Sequence, residues 1–228
     1  AVIFDLDGCL VDSEPHALEA IASEMRALGI EDAGTQEIRD NLLGVSIGVI
    51  CDHVAKRSGR PCPEDFISRF ERRVLQIYRD ELRQIEGASA LLDWLAARGI
   101  AVAIATGGSI TRMTETLRLG GLTDYFPDRA FSADQVARGK PAPDLALFAA
   151  ARLGVAPEAC VVFEDSPHGL AGAAAAGMTG IGFVGGTHLD GVRSAHAARL
   201  QEAGAHAVVG TLAEFREVLT PLIGTNRP

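Results

Sequence analysis

No apolar run in the chain approaches the ~20 residues that cross a bilayer as a helix, and no secretory signal pattern is visible. The chain opens at Ala1 with an apolar strand already under way, which leaves room for an original start ahead of it, and a cytoplasmic setting is the expectation. Cysteine is scarce: Cys9, Cys51, Cys62 and Cys160 are scattered, with no C-x-x-C and no zinc spacing. They are expected to be small buried hydrophobes. The histidines give no metal spacing either, so zinc is not implied. Basic residues are in deficit, 21 Lys and Arg against 30 Asp and Glu, for a net charge of −9. That balance counts against nucleic acid or an anionic membrane as a partner. It leaves a small anionic substrate open, because a metal ion and a few local donors outweigh the total charge at a site. There is no internal repeat, and no low-complexity segment beyond the alanine-rich 171–176, where close helix-to-sheet packing is expected. What is there is ordinary for a globular protein: 228 residues, 47% hydrophobic and 22% charged, enough for one large domain or two modest ones.

From Ile100 onward short apolar runs alternate with helical stretches. IAVAIA precedes SITRMTETLRLGG, CVVF precedes SPHGLAGAAAAGM, TGIGFV precedes a helix-like stretch to Ala203, and HAVVG precedes TLAEFREVLTPL. Continuous apolar strands separated by helices predict an α/β fold with a doubly wound parallel sheet covered on both faces. Val2 to Leu6 reads as one more such strand, so both ends of the chain build the sheet. From about Asp12 to Glu86 the pattern is helical, with no convincing strand. Leu18, Ile21, Met25 and Leu28 form one stripe, Ile47, Ile50, Cys51 and Val54 a second, and Phe66, Phe70, Val74 and Ile77 a third. Gly29, Gly34, Gly59 and Gly87, with Pro61 and Pro63, punctuate it. The expected organisation is a core of 1–11 and 87–228 with an all-helical insertion at 12–86. An insertion directly after a strand end tends to roof a site there; a helical domain without a catalytic role is the alternative.

The stretch IFDLDGCLVDS places two carboxylates, Asp5 and Asp7, at the end of a buried strand. Isolated buried carboxylates are costly, so they need a cation, a shared proton or exposure. In an open parallel sheet ligands bind beyond the carboxyl ends of the strands. Thr106, Gly107, Gly108 and Ser109 follow one strand, Lys140 precedes a helix after another, and Glu164, Asp165 and Ser166 follow CVVF. Singly each has a bland reading: Asp as turn residue, Thr106 as helix start, Lys140 as solvated surface, Glu164 and Asp165 as complements to a helix dipole. Ser166–Pro167 fits the N-cap and first position of the next helix. Converging at one sheet edge, the carboxylates call for a hard divalent cation, Mg2+, and that cation would draw a phosphate.

DLDGCLVDS resembles the first motif of the haloacid dehalogenase superfamily, D-x-D-G-x-(L/V)-x-D-(S/T). IATGGS resembles the second, GKPAPD the third and FEDSPHGLAGAAAAGM the fourth, in the family's order and over essentially the whole chain. The insertion resembles the small helical cap of the branch that holds phosphoglycolate phosphatases, sugar-phosphate phosphatases and beta-phosphoglucomutase. YFPDRAFSADQVARGKPAPD is similar to the sugar-phosphate phosphatases, a 6-phosphogluconate phosphatase among them. The resemblance implies a Mg2+-dependent phosphatase acting on a small phosphorylated sugar, sugar acid or polyol, as a monomer or weak homodimer. It implies Asp5 as the nucleophile that becomes an aspartyl phosphate, and Asp7 as the acid and then the base. Thr106 with the Gly107 amide would hold a phosphoryl oxygen, and Lys140 would neutralise its charge. The metal would rest on Asp5, the Asp7 carbonyl and Asp165, with Glu164 ligating or orienting.

The rival within this branch is a beta-phosphoglucomutase-like mutase, which holds a second phosphate through an arginine after a G-x-S motif. In GVSIGVIC that place is Ile47, although Arg57, Arg60 or Arg69 remains as a substitute. A metal-free dehalogenase would have no use for Asp7, Glu164 or Asp165. A phosphoacceptor receiver places two acids side by side after its first strand and carries no cap. An idle binding protein is disfavoured because every catalytic position is filled. Glu14 and His16, at the hinge into the cap, and Asn41, Gly44 and Ser46, on a loop expected to face the site, are the candidates for substrate contacts. His188, after TGIGFV, reads as a surface loop residue.

Overall fold

The computed structural model describes residues 1–223. Strand β1 (Val2–Phe4) is followed by four helices, α1 (Glu14–Ala27), α2 (Thr35–Leu42), α3 (Ile47–Ser58) and α4 (Phe66–Glu81). Helix α5 (Ala88–Ala96) leads into β2 (Val102–Thr106), α6 (Ile110–Leu119), β3 (Ala130–Ser132) and α7 (Asp144–Leu153). Then come β4 (Val161–Glu164), α8 (Pro167–Ala175), β5 (Thr179–Phe183), α9 (Arg193–Glu202), β6 (Ala207–Val209) and α10 (Leu212–Leu222).

The six strands form one sheet in the order β3-β2-β1-β4-β5-β6, every pair parallel. In the register, Ile3 stands opposite Ala103 on one side and Val162 on the other. The order reverses direction between β1 and β4, and there a doubly wound sheet opens its ligand crevice. Alternate residues of β1 feed two separate cores. Phe4 packs edge-on against Phe163 (5.9 Å) and Phe215 (6.0 Å) on one face. Ile3 meets Ala103, Val162, Ala149 and Ala173 on the other. Small residues let α8 lie close: a Cβ at Gly180 would stand 2.8 Å from Leu170. Of the alanine-rich run, Ala173 and Ala176 are buried while Ala174 and Ala175 face solvent, so the close face is narrower than the run.

Among α1–α4, Leu18, Ile21 and Met25 are buried, as are Phe66, Phe70 and Val74. The third stripe closes on Tyr78 instead of Ile77, which is only half-buried; the Tyr78 hydroxyl satisfies its polar end by donating to the Ser13 carbonyl, 3.3 Å away. Cys9 and Cys160 are buried as expected, but Cys51 and Cys62 are half-buried, on α3 and in the loop after it. Two linkers join the insertion to the rest, side by side. The Asp12 amide donates to the Arg83 carbonyl (2.9 Å) and the Ile85 amide to the Leu10 carbonyl (2.9 Å), with an isolated bridge between Val11 and Gln84.

Candidate active site

The crevice between β1 and β4 gathers the polar strand ends. Asp5, immediately after β1, is buried, and its Oδ1 lies 2.8 Å from Lys140 Nζ. Lys140 also contacts Glu164 Oε1, while Glu164 Oε2 accepts from the Ser166 amide at 3.0 Å. A Cβ at Gly169 would come within 1.9 Å of that Glu164 carboxylate, so glycine on α8 makes the room for it. Ser166 caps α8, its Oγ accepting from the His168 amide, as the Ser-Pro pair predicts. The same hydroxyl donates to the Leu43 carbonyl at 2.8 Å, tying the loop before α3 to the core.

Asp7 faces a different set of partners. Ser13 Oγ donates to its Oδ1 at 2.7 Å, and Arg112 Nη2 lies 3.3 Å from its Oδ2. Thr106 ends β2 with its Oγ1 accepting from the Gly108 amide at 3.1 Å, which leaves its own proton to donate. The helix start that Thr106 might have been is Ser109, whose hydroxyl accepts from the Arg112 amide. Gly107 lies directly under the loop before α3: a Cβ there would stand 2.8 Å from the Val45 carbonyl oxygen.

Over this floor the cap closes a pocket lined by Asp5, Asp7, Glu14, Thr106, Gly107 and Arg112, with an apolar wall from Leu18, Ile21, Leu42, Val45, Ile50 and Phe70. Its cavity of about 30 Å³ holds a water or two. A sugar-sized molecule enters only when the wall moves.

Burial dominates the electrostatics. It pushes the Asp5 carboxyl up to about 7, Lys140 pulling the other way and Glu164 and Asp7 adding to the rise. It pushes Glu14 up to about 8, with Asp7 next in effect. Glu164 is raised and Asp165 well raised, again by burial first. Burial alone would lower the Lys140 ammonium, yet Asp5 and Glu164 outweigh it and hold the lysine charged.

The fit to a cation rests on Asp165. Its Oδ2 is buried without a hydrogen-bond partner among the described residues, and one oxygen each of Asp5 and Asp165 lies within 4.8 Å of the Cys9 sulfur and of each other. Burial pushes the Cys9 thiol well up, so it stays protonated and leaves the oxygens to a hard ion. Asp5, Asp165 and the Asp7 carbonyl could hold such an ion. Glu164 has both oxygens engaged, by Lys140 and by the α8 terminus, which fits orienting better than ligating.

The expected cap residues divide. Glu14 lines the pocket, and Ser46 abuts Gly139 beside Lys140, where a glycine Cβ would meet the Ser46 Cβ at 2.7 Å. His16 instead faces Glu81 (3.7 Å) and the edge of Tyr78, and Asn41 is exposed, donating to the Glu37 carbonyl. His188 is a correction: it is buried, with Nε2 3.0 Å from Asp165 Oδ2. Ser13, Arg112 and Cys9 belong to the site neighbourhood without having been singled out by their types. The only signal for Arg112 was Gly108, whose missing Cβ leaves space for the guanidinium at 2.6 Å.

A model of the haloacid dehalogenase-like hydrolase family matches residues 1–177. A phosphorylated carbohydrates phosphatase of Thermotoga maritima is 33% identical over 219 residues, covering 92% of this chain and 93% of its own. A 6-phosphogluconate phosphatase of Escherichia coli is 32% identical over 181 residues, 78% of this chain and 79% of its own. Among solved structures, a hydrolase of the same family from Deinococcus radiodurans, with bound phosphate and sodium, superposes with a TM-score of 0.73 at 35% identity, covering 97% of this chain and 95% of that one. Four motifs converging on one crevice and these similarities agree: the chain belongs to the haloacid dehalogenase-like hydrolases.

Proposed function

We propose that the chain is a Mg2+-dependent phosphatase of a small phosphorylated metabolite, a sugar, sugar acid or polyol phosphate, working through an aspartyl phosphate on Asp5. The observation that carries this reading is the pairing of Asp5 with Lys140 at 2.8 Å beside the unpartnered carboxylate of Asp165. Asp5 would attack phosphorus as its carboxylate, and the bond to the leaving oxygen would break as Asp7 delivers a proton to it. Asp7 would then take a proton from water attacking the aspartyl phosphate, which releases phosphate and restores Asp5. Ser13 and Arg112, both on the Asp7 carboxylate, hold it toward the pocket side. Thr106, the Gly107 amide and Lys140 would receive the phosphoryl oxygens. Bound Mg2+ would neutralise the phosphate and the Asp5–Asp165 pair. Glu14, protonated at neutral pH, would donate to an oxygen of the leaving group. The names of the relatives in Thermotoga maritima and Escherichia coli support phosphorylated carbohydrates and sugar acids as the substrate class.

The pocket wall speaks against a mutase. Its lining from α1–α4 is apolar apart from Glu14, and its cation, Arg112, comes from the core and is engaged with Asp7. A bisphosphorylated intermediate would turn its second phosphate toward that apolar wall. The test is phosphate release from a panel of phosphorylated sugars, sugar acids, polyols and phosphoglycolate, with Mg2+ or EDTA and with Asp5→Asn as control. Release that needs both Mg2+ and Asp5 is expected. No release, with isomerisation of a hexose phosphate once a bisphosphate primer is added, would overturn the phosphatase in favour of the mutase.

A further inference from the structure

The loop between β5 and α9 touches three parts of the molecule at once. His188 lies in it with its side chain fully buried. Two glycines distant in sequence make the space for the ring: a Cβ at Gly8 would come within 3.0 Å of its Cε1, and one at Gly186 within 2.7 Å of its Nδ1. In that cradle Nε2 stands 3.0 Å from Asp165 Oδ2, close but misaligned, so that both ring nitrogens and Oδ2 lack a hydrogen-bond partner among the described residues. Buried polar groups left so are costly and point to a partner that completes them. On its backbone side the His188 carbonyl accepts from Arg39 Nη1 of α2 at 3.3 Å. The neighbouring Thr187 donates its amide (3.1 Å) and hydroxyl (2.7 Å) to Asp12 on the linker. Asp40, next to Arg39, is held by Arg199 of α9 at 3.2 Å.

We infer that His188 is a positioning residue that joins the cation site to the closed cap: once a cation holds the other oxygen of Asp165, a small turn of the His188 ring would let its N–H donate to the unpartnered Oδ2 3.0 Å away, while its backbone already holds α2 through Arg39. A carboxylate that must hold a cation with one oxygen is oriented by a donor on the other, and such outer partners govern metal affinity. An uncharged imidazole supplies that donor without adding a positive charge beside the ion. Because two adjacent residues, Thr187 and His188, grip Asp12 and Arg39, whatever orders Asp165 and His188 also favours the closed arrangement of the cap. The inference rests on the reading of Asp165 as a cation ligand.

The test is Mg2+ binding by calorimetry to the full chain, without substrate, for the wild type, His188→Ala and His188→Gln, alongside tryptic cleavage of the 82–86 linker with and without Mg2+. His188→Ala is expected to weaken Mg2+ binding about tenfold or more, and saturating Mg2+ is expected to protect its linker less than that of the wild type. His188→Gln, which keeps an N–H at similar reach, should recover most of the affinity, and it serves alone if the alanine variant fails to fold by circular dichroism. His188→Ala binding Mg2+ within twofold of the wild type, or His188→Gln binding no better than His188→Ala, overturns the inference. A wild-type chain that binds no Mg2+ is a separate result, which overturns the cation reading of Asp165 itself.

Discussion

Replacing Asp5 by Asn should abolish turnover and yet make the cation-free protein more stable. In the folded chain burial raises the Asp5 carboxyl from 3.8 to about 7. Between those two values the folded state keeps a proton that the unfolded chain has lost, so stability falls as pH rises through that window. About three units at about 1.4 kcal/mol each amount to ~4 kcal/mol. Relaxation of the site around a charged Asp5 reduces this, and half of it, ~2 kcal/mol, is the expected gain for Asp5→Asn at pH 8 in EDTA. For a chain of this size that is about 4–8 °C in Tm. At pH 4.5, where Asp5 of the folded wild type is already protonated, the two melts should agree closely. Adding Mg2+ at pH 8 should raise the wild type by about 2.7 kcal/mol at a hundredfold excess over Kd, enough to bring it level with or slightly above the cation-free variant. The assay is a thermal melt by circular dichroism across pH 4.5–8. An Asp5→Asn protein that melts below the wild type in EDTA at pH 8, or whose advantage is the same at pH 4.5, refutes the argument from burial.

Glu14, raised to about 8, gives up its proton as pH passes that value. The wild-type rate should therefore decline above pH 8, whereas Glu14→Gln, which keeps a donor of the same shape, should give a flatter profile at less than tenfold cost in kcat/KM. Gly169→Ala would drive a methyl group to within 1.9 Å of the Glu164 carboxylate. Displacing that carboxylate from Lys140 should lower kcat by about 10–100-fold while the far-ultraviolet spectrum stays that of the wild type. Ser166→Ala removes a helix cap and the bond to the Leu43 carbonyl together. It should cost about 1–2 kcal/mol in urea unfolding and raise KM more than it lowers kcat, because the loop over Gly107 loses an anchor.

Strand ends and helix caps were legible in the sequence because both depend on local patterns. Continuous apolar runs gave the parallel sheet, and the polar residues after them fell at one crevice because every strand of the sheet points the same way. Ser166 was readable as a cap from Ser-Pro alone. The residues that escaped act across long separations. Arg112 reaches Asp7 from 105 positions away, through a gap left by Gly108. His188 is buried only because Gly8 and Gly186 jointly hollow out a space, which neither glycine announces by itself. Tyr78 displaced Ile77 in the helical stripe because a tertiary partner for its hydroxyl decided between two positions that periodicity leaves nearly equivalent. Cys51 and Cys62 were assigned by residue type to the interior, and their places on α3 and the loop after it leave them half open instead.

The position of β1 bears on how the protein comes to be active at all. This three-residue strand sits between β2 and β4, pairing Val2 with Val102 and with Val161. Both pairings join segments a hundred or more residues apart, and such non-local parallel contacts form slowly. The β4–β5 pairing and its α8 crossover are far more local and can form first. On this order of assembly the proposed nucleophile arrives with the last central strand, so Asp5 meets Lys140 and Asp165 only when the sheet is whole. Recovery of activity on refolding should then trail the return of helical signal, since a partly assembled chain has the loop after β2 and the Glu164–Asp165 pair but lacks Asp5 beside them.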